Sequence, residues 1–267
     1  MPPVLYGTWH LNEGVAETVK TAIEIGYRGI DSAYSYGNDF QVGKAIKACG
    51  LLRSEIFVTN KVWNSFRGRQ AVVEACKKSL RLMKMEYFDL YLIHWPEPVT
   101  NPDWADINSD TWQGMEVLYG EGLVRAIGVS NFLPHHLYSL LSNGAAVCPM
   151  VNQIEFHPGR FQDDVLRWCS DKKIIVEGWS PLGSGGLLHH PLLISIAEKY
   201  HCSVAQVVLV WAVQKGVVPI PRSSDSGRMR ENLFLPRLQL QEEDIVAIEQ
   251  LHDIGCSEYV PDVKHPK

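Results

Sequence analysis

Eight short apolar runs alternate with longer amphipathic segments along the chain, and this alternation limits the fold more than any other feature. The runs are rich in β-branched and aromatic residues, as buried strands are. They cover residues 4–7, 27–30, 56–59, 88–93, 124–129, 150–154, 174–178 and 217–220. Strand–helix units with short connections predict a parallel sheet, and eight strands close a (β/α)8 barrel.

Helical spacing fills the intervals between the predicted strands. Helices are predicted near residues 17–25, 39–48, 71–83, 112–119, 137–141, 164–171, 191–200, 204–215 and 242–251, with another starting near Arg228. The competing architecture, a doubly wound open sheet, usually carries G-x-G-x-x-G after its first strand. Here the residues after the first strand are Thr8, Trp9 and His10. We therefore predict a single TIM-barrel domain over residues 1–267.

Composition limits the kinds of binding partner and the cellular compartment that we expect for this protein. The formal net charge is −5, which argues against nucleic acid or an anionic membrane surface as a partner. Six cysteines are scattered without a C-x-x-C pair, which suits a reducing compartment. The apolar runs are too short to span a bilayer, and no cluster has the spacing of a zinc site. We expect a cytoplasmic monomer without a metal.

Polar side chains follow most of the predicted strands. In a barrel, the chemistry lies at the carboxyl ends of the strands, so the residue that closes each apolar run is a candidate site residue. In chain order these residues are Trp9, Asp31, Lys61, His94, Ser130 with Asn131, Gln153, Trp179, and Arg222 with Ser223. A single polar residue at a strand end is ordinary, but a polar series in register around a ring indicates a functional site.

The first charged members of this series suggest acid catalysis. Asp31 and Lys61 end neighbouring strands and are expected to form a partly buried ion pair, with Tyr36 on the loop beside them. At about 4 Å and an effective dielectric of about 20, the ammonium favours the phenolate by about 4 kcal/mol, less what Asp31 cancels. This predicts a lowered pKa for Tyr36 and a general acid near neutral pH. His94 is placed to orient the same substrate oxygen.

Three long stretches resemble the aldo-keto reductase superfamily, and the resemblance covers essentially the whole chain. They are GYRGIDSAYSYGNDFQVGKAI at 26–46, GLVRAIGVSNF at 122–132 and IPRSSDSGRMREN at 220–232. The resemblance is to short-tailed members such as the diketogluconate reductase and prostaglandin F synthase types. It implies NADPH-dependent reduction of small-molecule carbonyls, with Asp31, Tyr36, Lys61 and His94 as the catalytic tetrad.

The same resemblance implies the remaining site residues. The contacts to the nicotinamide would come from Ser130, Asn131, Gln153 and Trp179. Contacts to the pyrophosphate would come from Ser180, Leu182 and Ser184. The 2′-phosphate and adenine would be held by Arg222, Ser223, Arg228, Glu231 and Asn232. The substrate pocket would be lined by Trp9, Trp63 and Trp95. Two guanidinium groups and a hydroxyl suit a phosphate dianion, which favours NADPH over NADH.

The chain departs from the family pattern in a few places. Arg222 stands where Lys is usual, Trp179 replaces the commoner Tyr, and Asp225 is expected to weaken phosphate binding. The usual N-terminal hairpin at the bottom of the barrel is lacking. Two rival functions remain: a barrel hydrolase or lyase that uses Lys61, which the paired Asp31 disfavours, and a cofactor-binding regulatory module with slow or no turnover.

Overall fold

The computed structural model describes residues 1–11 and 13–263 and confirms the barrel. Eight parallel strands pair in the order of the chain. They are β1 (Tyr6–Gly7), β2 (Gly29–Asp31), β3 (Phe57–Val62), β4 (Leu90–Ile93), β5 (Ile127–Ser130), β6 (Val151–Glu155), β7 (Ile175–Trp179) and β8 (Val217–Ile220). The expected domain of residues 1–267 includes Asn12 and residues 264–267, which lie outside the described residues.

The barrel closes between β8 and β1 through hydrogen bonds that run in one direction. The backbone N–H groups of Leu5 and Gly7 donate to the carbonyls of Pro219 and Pro221, each at 3.1 Å. The N–H and C=O of one residue point to the same side of a strand, and proline has no N–H to donate in return. The two prolines therefore allow closure but donate no hydrogen bond back across this seam.

Ten α-helices are described around the barrel. They are α1 (Val15–Ile25), α2 (Asp39–Ala48), α3 (Arg69–Met83), α4 (Trp104–Gly120), α5 (Pro134–Ser142), α6 (Asp163–Asp171), α7 (Pro191–Tyr200), α8 (Val204–Gln214), α9 (Ser226–Leu233) and α10 (Glu242–Glu249). Their apolar faces and the outward faces of the strands form the main core. Among the described residues no single helix is long and apolar enough to cross a membrane, although α7 and α8, bent by 85°, pass that test when joined.

Helix α4 is longer than the sequence predicts. Its first two turns, from Trp104, fall where the Pro- and Asp-rich composition indicates a loop. Tertiary contacts explain the difference: the side chain of Asn108 accepts a hydrogen bond from the backbone N–H of Glu97 at 2.8 Å, and Asn108 is buried. The acidic Asp106 in the first turn also suits the positive end of the helix dipole.

The barrel interior changes character along each strand. Leu90, Leu92 and Val151 form a small apolar cluster, against which Phe57, Ala126 and Met150 pack. Side chains two or four residues further along a strand face the same way, so polar groups at positions 61, 94, 130 and 153 also face the barrel axis. The amino-terminal half of the interior is therefore apolar, and the carboxyl-terminal half is polar.

The N-terminal segment packs against the amino end of the barrel. Residues 1–5 precede β1 and contain no strand. Leu5 is fully buried, and a Cβ at Gly29 would collide with it and touch Pro2. Glycine at the start of β2 thus makes room for the side chains that cover this end.

Candidate active site

A buried ion pair lies at the carboxyl end of β2 and β3. The ammonium of Lys61 donates to both carboxylate oxygens of Asp31, at 2.8 and 2.6 Å, and to the carbonyl of Ser32 at 3.1 Å. The hydroxyl of Tyr36 lies 3.4 Å from the same ammonium. Lys61 is fully buried and Asp31 nearly so. The three groups that the sequence predicts to meet are therefore in contact.

The charge state of this cluster follows from competing effects. Burial alone would lower the pKa of Lys61, but Asp31 and Tyr36 oppose it, and the pKa is raised overall, so the lysine stays charged. For Tyr36, burial raises the pKa, Lys61 lowers it and Asp31 raises it, and the net direction is upward. The predicted lowering of the Tyr36 pKa is wrong, because desolvation of the phenolate exceeds the attraction of Lys61. Tyr36 accordingly keeps its proton at neutral pH.

His94 follows β4 and faces Tyr36. Their ring centroids are 5.8 Å apart, and the ring of Trp63 lies 5.1 Å from His94 on another side. Burial, and then the charges of Lys61 and Arg67, hold the pKa of His94 well below its usual value. His94 is therefore a neutral imidazole, and its buried Nδ1 has no hydrogen-bond partner among the described residues. A neutral imidazole can donate one hydrogen bond without adding charge.

The next polar group joins β5, β6 and β7. Ser130 donates to the carbonyl of Gln153 at 2.8 Å, and the amide of Asn131 donates to Ser130 Oγ and to the carbonyl of His94, each at 3.0 Å. The indole N–H of Trp179 donates to the side-chain oxygen of Asn131 at 2.9 Å. Asn131 has a left-handed backbone with φ of 64°, which asparagine tolerates. The side chains of Ser130, Asn131 and Trp179 and the backbone carbonyl of Gln153 form one connected network beside His94.

Two exposed arginines stand beyond β8. Arg228 donates from Nε to Ser223 Oγ at 3.3 Å, and Arg222 adjoins the same serine in sequence. Neither guanidinium forms an ion pair with a carboxylate among residues 1–11 and 13–263. The carboxylate of Asp225 accepts from the backbone N–H of Arg228 at 2.8 Å and caps α9. On the same helix, Glu231 is half-buried and Asn232 is buried.

The loop after β7 has an irregular backbone. Ser180 and Ser184 both have positive φ, of 50° and 53°, and Leu182 between them is half-buried. Gly183 also has positive φ, and its backbone lies against Gly255 so closely that a Cβ on Gly255 would come within 2.7 Å of Gly183. The C-terminal segment therefore crosses directly over this loop, a placement that the sequence does not reveal.

Aromatic side chains surround the mouth of the barrel. Trp95 is buried, with its ring 6.5 Å from Trp179 and 6.0 Å from Tyr259 of the C-terminal segment. Trp63 contacts His94, as described above, whereas Trp9 is 44% exposed and packs on His10 at 4.0 Å. The structure thus places two of the three predicted tryptophans next to the polar cluster and adds Tyr259 to the same wall.

One buried carboxyl group at this end is absent from the sequence prediction. Glu177 lies on β7, is fully buried, and accepts from the amide of Gln153 at 2.7 Å. The same amide donates to Asp31 at 2.8 Å. A signal was present: Trp179 closes β7, and the residue two positions earlier must face the barrel axis as well.

A second polar cluster lies where α5 meets the C-terminal segment. His135, His136 and Asp262 offer atoms that lie within 4.8 Å of one another. His136 is buried, and its Nδ1 accepts from the backbone N–H of Leu133 at 3.2 Å. Its Nε2, 3.1 Å from Asp262, therefore carries the proton in the neutral ring and offers no lone pair to a cation.

The barrel carries this lysine, tyrosine and histidine at the carboxyl ends of its strands, where the active sites of such barrels lie. A model of the aldo/keto reductase family matches residues 3–253. The chain belongs to the aldo/keto reductase family, and its relatives are named reductases, so it is an oxidoreductase.

Three relatives illustrate the range of the family. The chain is 44% identical to the 9,11-endoperoxide prostaglandin H2 reductase of Trypanosoma cruzi, over 95% of this chain and 88% of that protein. It is also 44% identical to the glyoxal reductase of Bacillus subtilis, over 94% and 89% of the two chains. The aldo-keto reductase of Bombyx mori, solved in complex with NADP, has a TM-score of 0.88 at 35% identity and covers 99% of this chain and 95% of its own.

Proposed function

We propose that this protein reduces small aldehydes and ketones to alcohols with NADPH, with Tyr36 as the general acid. The observation that carries the proposal is the contact of the Tyr36 hydroxyl with the buried Lys61 ammonium at 3.4 Å. Glyoxal is a substrate in the name of one relative, which supports small carbonyl compounds as the substrate class.

The proton step follows from the charges around Tyr36. Tyr36 is protonated at neutral pH because burial raises the pKa of its hydroxyl, so a proton is available for the carbonyl oxygen. As that proton leaves, the growing phenolate charge is stabilised by the ammonium of Lys61. Asp31 holds Lys61 in place through two short hydrogen bonds. General acids of this kind contribute a factor of about 10²–10⁴ to the rate.

His94 would orient the substrate. Its pKa is held well below the usual value, so it enters the reaction as a neutral donor and does not compete with Tyr36 as the acid. The ring contacts with Tyr36 and Trp63 limit its rotation. A carbonyl oxygen that accepts from both His94 and Tyr36 has its position fixed by two hydrogen bonds.

The donor set fits a phosphorylated dinucleotide. Arg222, Ser223 and Arg228 offer forked and hydroxyl donors without a competing ion pair among the described residues. Asp225 is engaged as the cap of α9. Ser180, Leu182 and Ser184 would lie along the pyrophosphate, and Glu231 and Asn232 beside the adenine. When bound, the nicotinamide supplies the hydride.

The carboxamide end of the cofactor would meet the network of Ser130, Asn131 and Gln153. Both amide hydrogens of Gln153 are used by carboxyl groups, which leaves its oxygen to accept. Trp179 is tied to Asn131 and would present its ring face beside the nicotinamide. Trp9, Trp63 and Trp95 would form the walls for the substrate.

The proposal is tested by following the loss of NADPH absorbance with glyoxal, its methyl homologue and a series of larger ketones, beside NADH. Turnover that prefers NADPH is expected. Cofactor binding without turnover of any carbonyl would instead favour a regulatory module, and absence of binding to either cofactor would contradict both functions.

We also propose that the whole chain is one domain, acts as a monomer in the cytoplasm, and needs no metal. The six cysteines are all free thiols, as in a reducing compartment, and the net charge of −5 opposes self-association. Light scattering of the purified protein tests the monomer, and activity in the presence of a chelator tests the independence from metal.

A further inference from the structure

Glu177 is a buried carboxyl group that the proposed reaction does not use. It is fully buried in the middle of β7, and its Oε1 has no hydrogen-bond partner among the described residues. Its other oxygen accepts from Gln153 at 2.7 Å. A buried, ionised carboxylate with one oxygen unpaired is costly, and the cost falls when the group is protonated.

The charges around Glu177 come from several elements. Asp31 on β2 repels a second negative charge, whereas Lys61 on β3 and the amino group of Met1 attract it. The neighbour on β8 is Val218, which carries no charge. Burial, followed by the repulsion from Asp31, raises the pKa of Glu177 to about 8. At neutral pH, Asp31 and Lys61 therefore form a neutral pair, and Glu177 adds no charge to it.

Gln153 connects Glu177 to the catalytic cluster. Its single amide nitrogen donates to Glu177 at 2.7 Å and to Asp31 at 2.8 Å. The reversed orientation of the amide would place its oxygen against the Asp31 carboxylate, so Asp31 determines which way the amide points. Glu177 accepts the second amide hydrogen and so helps to hold Gln153 in this orientation.

We propose that Glu177 is a positioning residue that works in its protonated form: it holds Gln153 between two carboxyl groups and leaves Asp31 as the single anionic partner of Lys61. The inference rests on the proposed role of Tyr36. When Glu177 loses its proton to solvent, a second negative charge opposes the field of Lys61 at Tyr36. The phenolate that forms during proton transfer is then less stabilised, and reduction slows.

The test is the pH dependence of kcat for carbonyl reduction in the wild type and in Glu177→Gln. The substitution keeps an acceptor for Gln153 and stays uncharged at every pH. In the wild type, kcat is expected to fall by about tenfold as pH rises through about 8, since a buried charge nearby acts through a low effective dielectric. In Glu177→Gln this step is expected to vanish, with kcat at lower pH within about threefold of the wild type.

Glu155→Gln is the matched control. Glu155 is another buried glutamate, two residues after Gln153. Burial opposes its ionisation, but hydrogen bonds with His157 and then Ser257 lower its pKa overall. This variant is expected to keep the step near pH 8. The proposal would be overturned if kcat of Glu177→Gln still fell near pH 8. It would also be overturned if kcat of the wild type did not fall there.

A second measurement separates this proposal from the proposed function. The carboxyl ¹³C signals of glutamate are followed with pH in the wild type, and the signal lost in Glu177→Gln or Glu177→Leu is assigned to Glu177. Titration near pH 8 supports a protonated Glu177 even if no carbonyl compound is reduced. Titration below about pH 5, the range of an ordinary glutamate, contradicts it.

Discussion

The two halves of the barrel interior use the same strands for opposite purposes. At the amino end, Leu90, Leu92 and Val151 pack as an apolar cluster without polar groups of their own. At the carboxyl end, Asp31 and Lys61 occupy the same kind of inward position, yet they form a buried ion pair. The strand geometry is shared, so the difference lies wholly in the side chains.

The two ends of the barrel are therefore expected to respond differently to substitution. Apolar packing stabilises the amino end through burial and needs no charged partner. A buried charge is tolerated only while its partner remains, because an unpaired ion in the interior loses its hydration without compensation. Substitutions at the amino end should therefore affect stability, and substitutions at the carboxyl end should affect chemistry, or both when a charge is left unpaired.

The largest combined effect is expected for Lys61→Met. It leaves Asp31 buried without its cation and should lower the free energy of unfolding by about 3–5 kcal/mol, measured by urea denaturation. Reduction should also be lost, because Tyr36 loses the ammonium 3.4 Å away. The double variant with Asp31→Asn should regain much of the stability and none of the activity. A single variant as stable as the wild type would contradict the importance of the pair.

At the opposite end, Leu92→Ala should lower the free energy of unfolding by about 2–5 kcal/mol, because Leu92 is fully buried. The kcat per folded molecule, measured at a temperature well below the melting transition, should stay within about twofold of the wild type. If Leu92→Ala showed a large fall in kcat with little loss of stability, the two ends of the barrel would not divide stability from chemistry as stated.

Glu177 should make stability depend on pH. Its folded pKa of about 8 exceeds the ordinary value of 4.5, so between these values the folded protein holds a proton that the unfolded chain has lost. Stability therefore falls as pH rises, by at most about 1.4 kcal/mol per pH unit, or about 2 kcal/mol from pH 6 to 8. Relative to the wild type, the stability of Glu177→Gln measured by denaturation should increase as pH rises across this window. If the difference in the free energy of unfolding between the two proteins did not change with pH, the pKa of Glu177 would lie outside this window.

A smaller effect is expected at the exposed arginines. Arg222→Ala should raise the Kd for NADPH by about tenfold, a charge-assisted hydrogen bond being worth about 1.5 kcal/mol or more, and should leave NADH binding unchanged. Arg230→Ala, which removes an exposed arginine from α9 outside the predicted clamp, is the control and should change neither constant. An unchanged preference in Arg222→Ala would show that the phosphate binds elsewhere. Fluorescence titration gives both constants.

Local patterns predict much of the fold because they reflect local physics. The predicted bounds of α2, α7 and β8 coincide with those in the structure. Apolar periodicity, proline at a first helical turn and glycine after a helix act within a few residues of one another. The early turns of α4 escape prediction because a tertiary contact, from Asn108 to the segment before it, stabilises a polar stretch.

The sequence predicts the site residues that lie at strand ends. It predicts less well the properties that depend on how deeply a side chain is buried. The meeting of Asp31, Tyr36 and Lys61 follows from the position of each residue at or shortly after the end of its predicted strand. The direction of the Tyr36 pKa does not, because desolvation depends on what surrounds the hydroxyl in three dimensions. Glu177 is missed for a different reason: it lies one inward position before the strand end, where alternation alone places it in the barrel.

The most direct test of the proposed chemistry compares kcat for NADPH-dependent reduction in the wild type and in Tyr36→Phe. The ring and its contacts remain, and only the hydroxyl is lost. We predict that kcat falls by a factor of about 10²–10⁴, with the melting temperature and the Kd for NADPH nearly unchanged. A Tyr36→Phe variant that reduces glyoxal at the wild-type rate would contradict the role of Tyr36 as the acid.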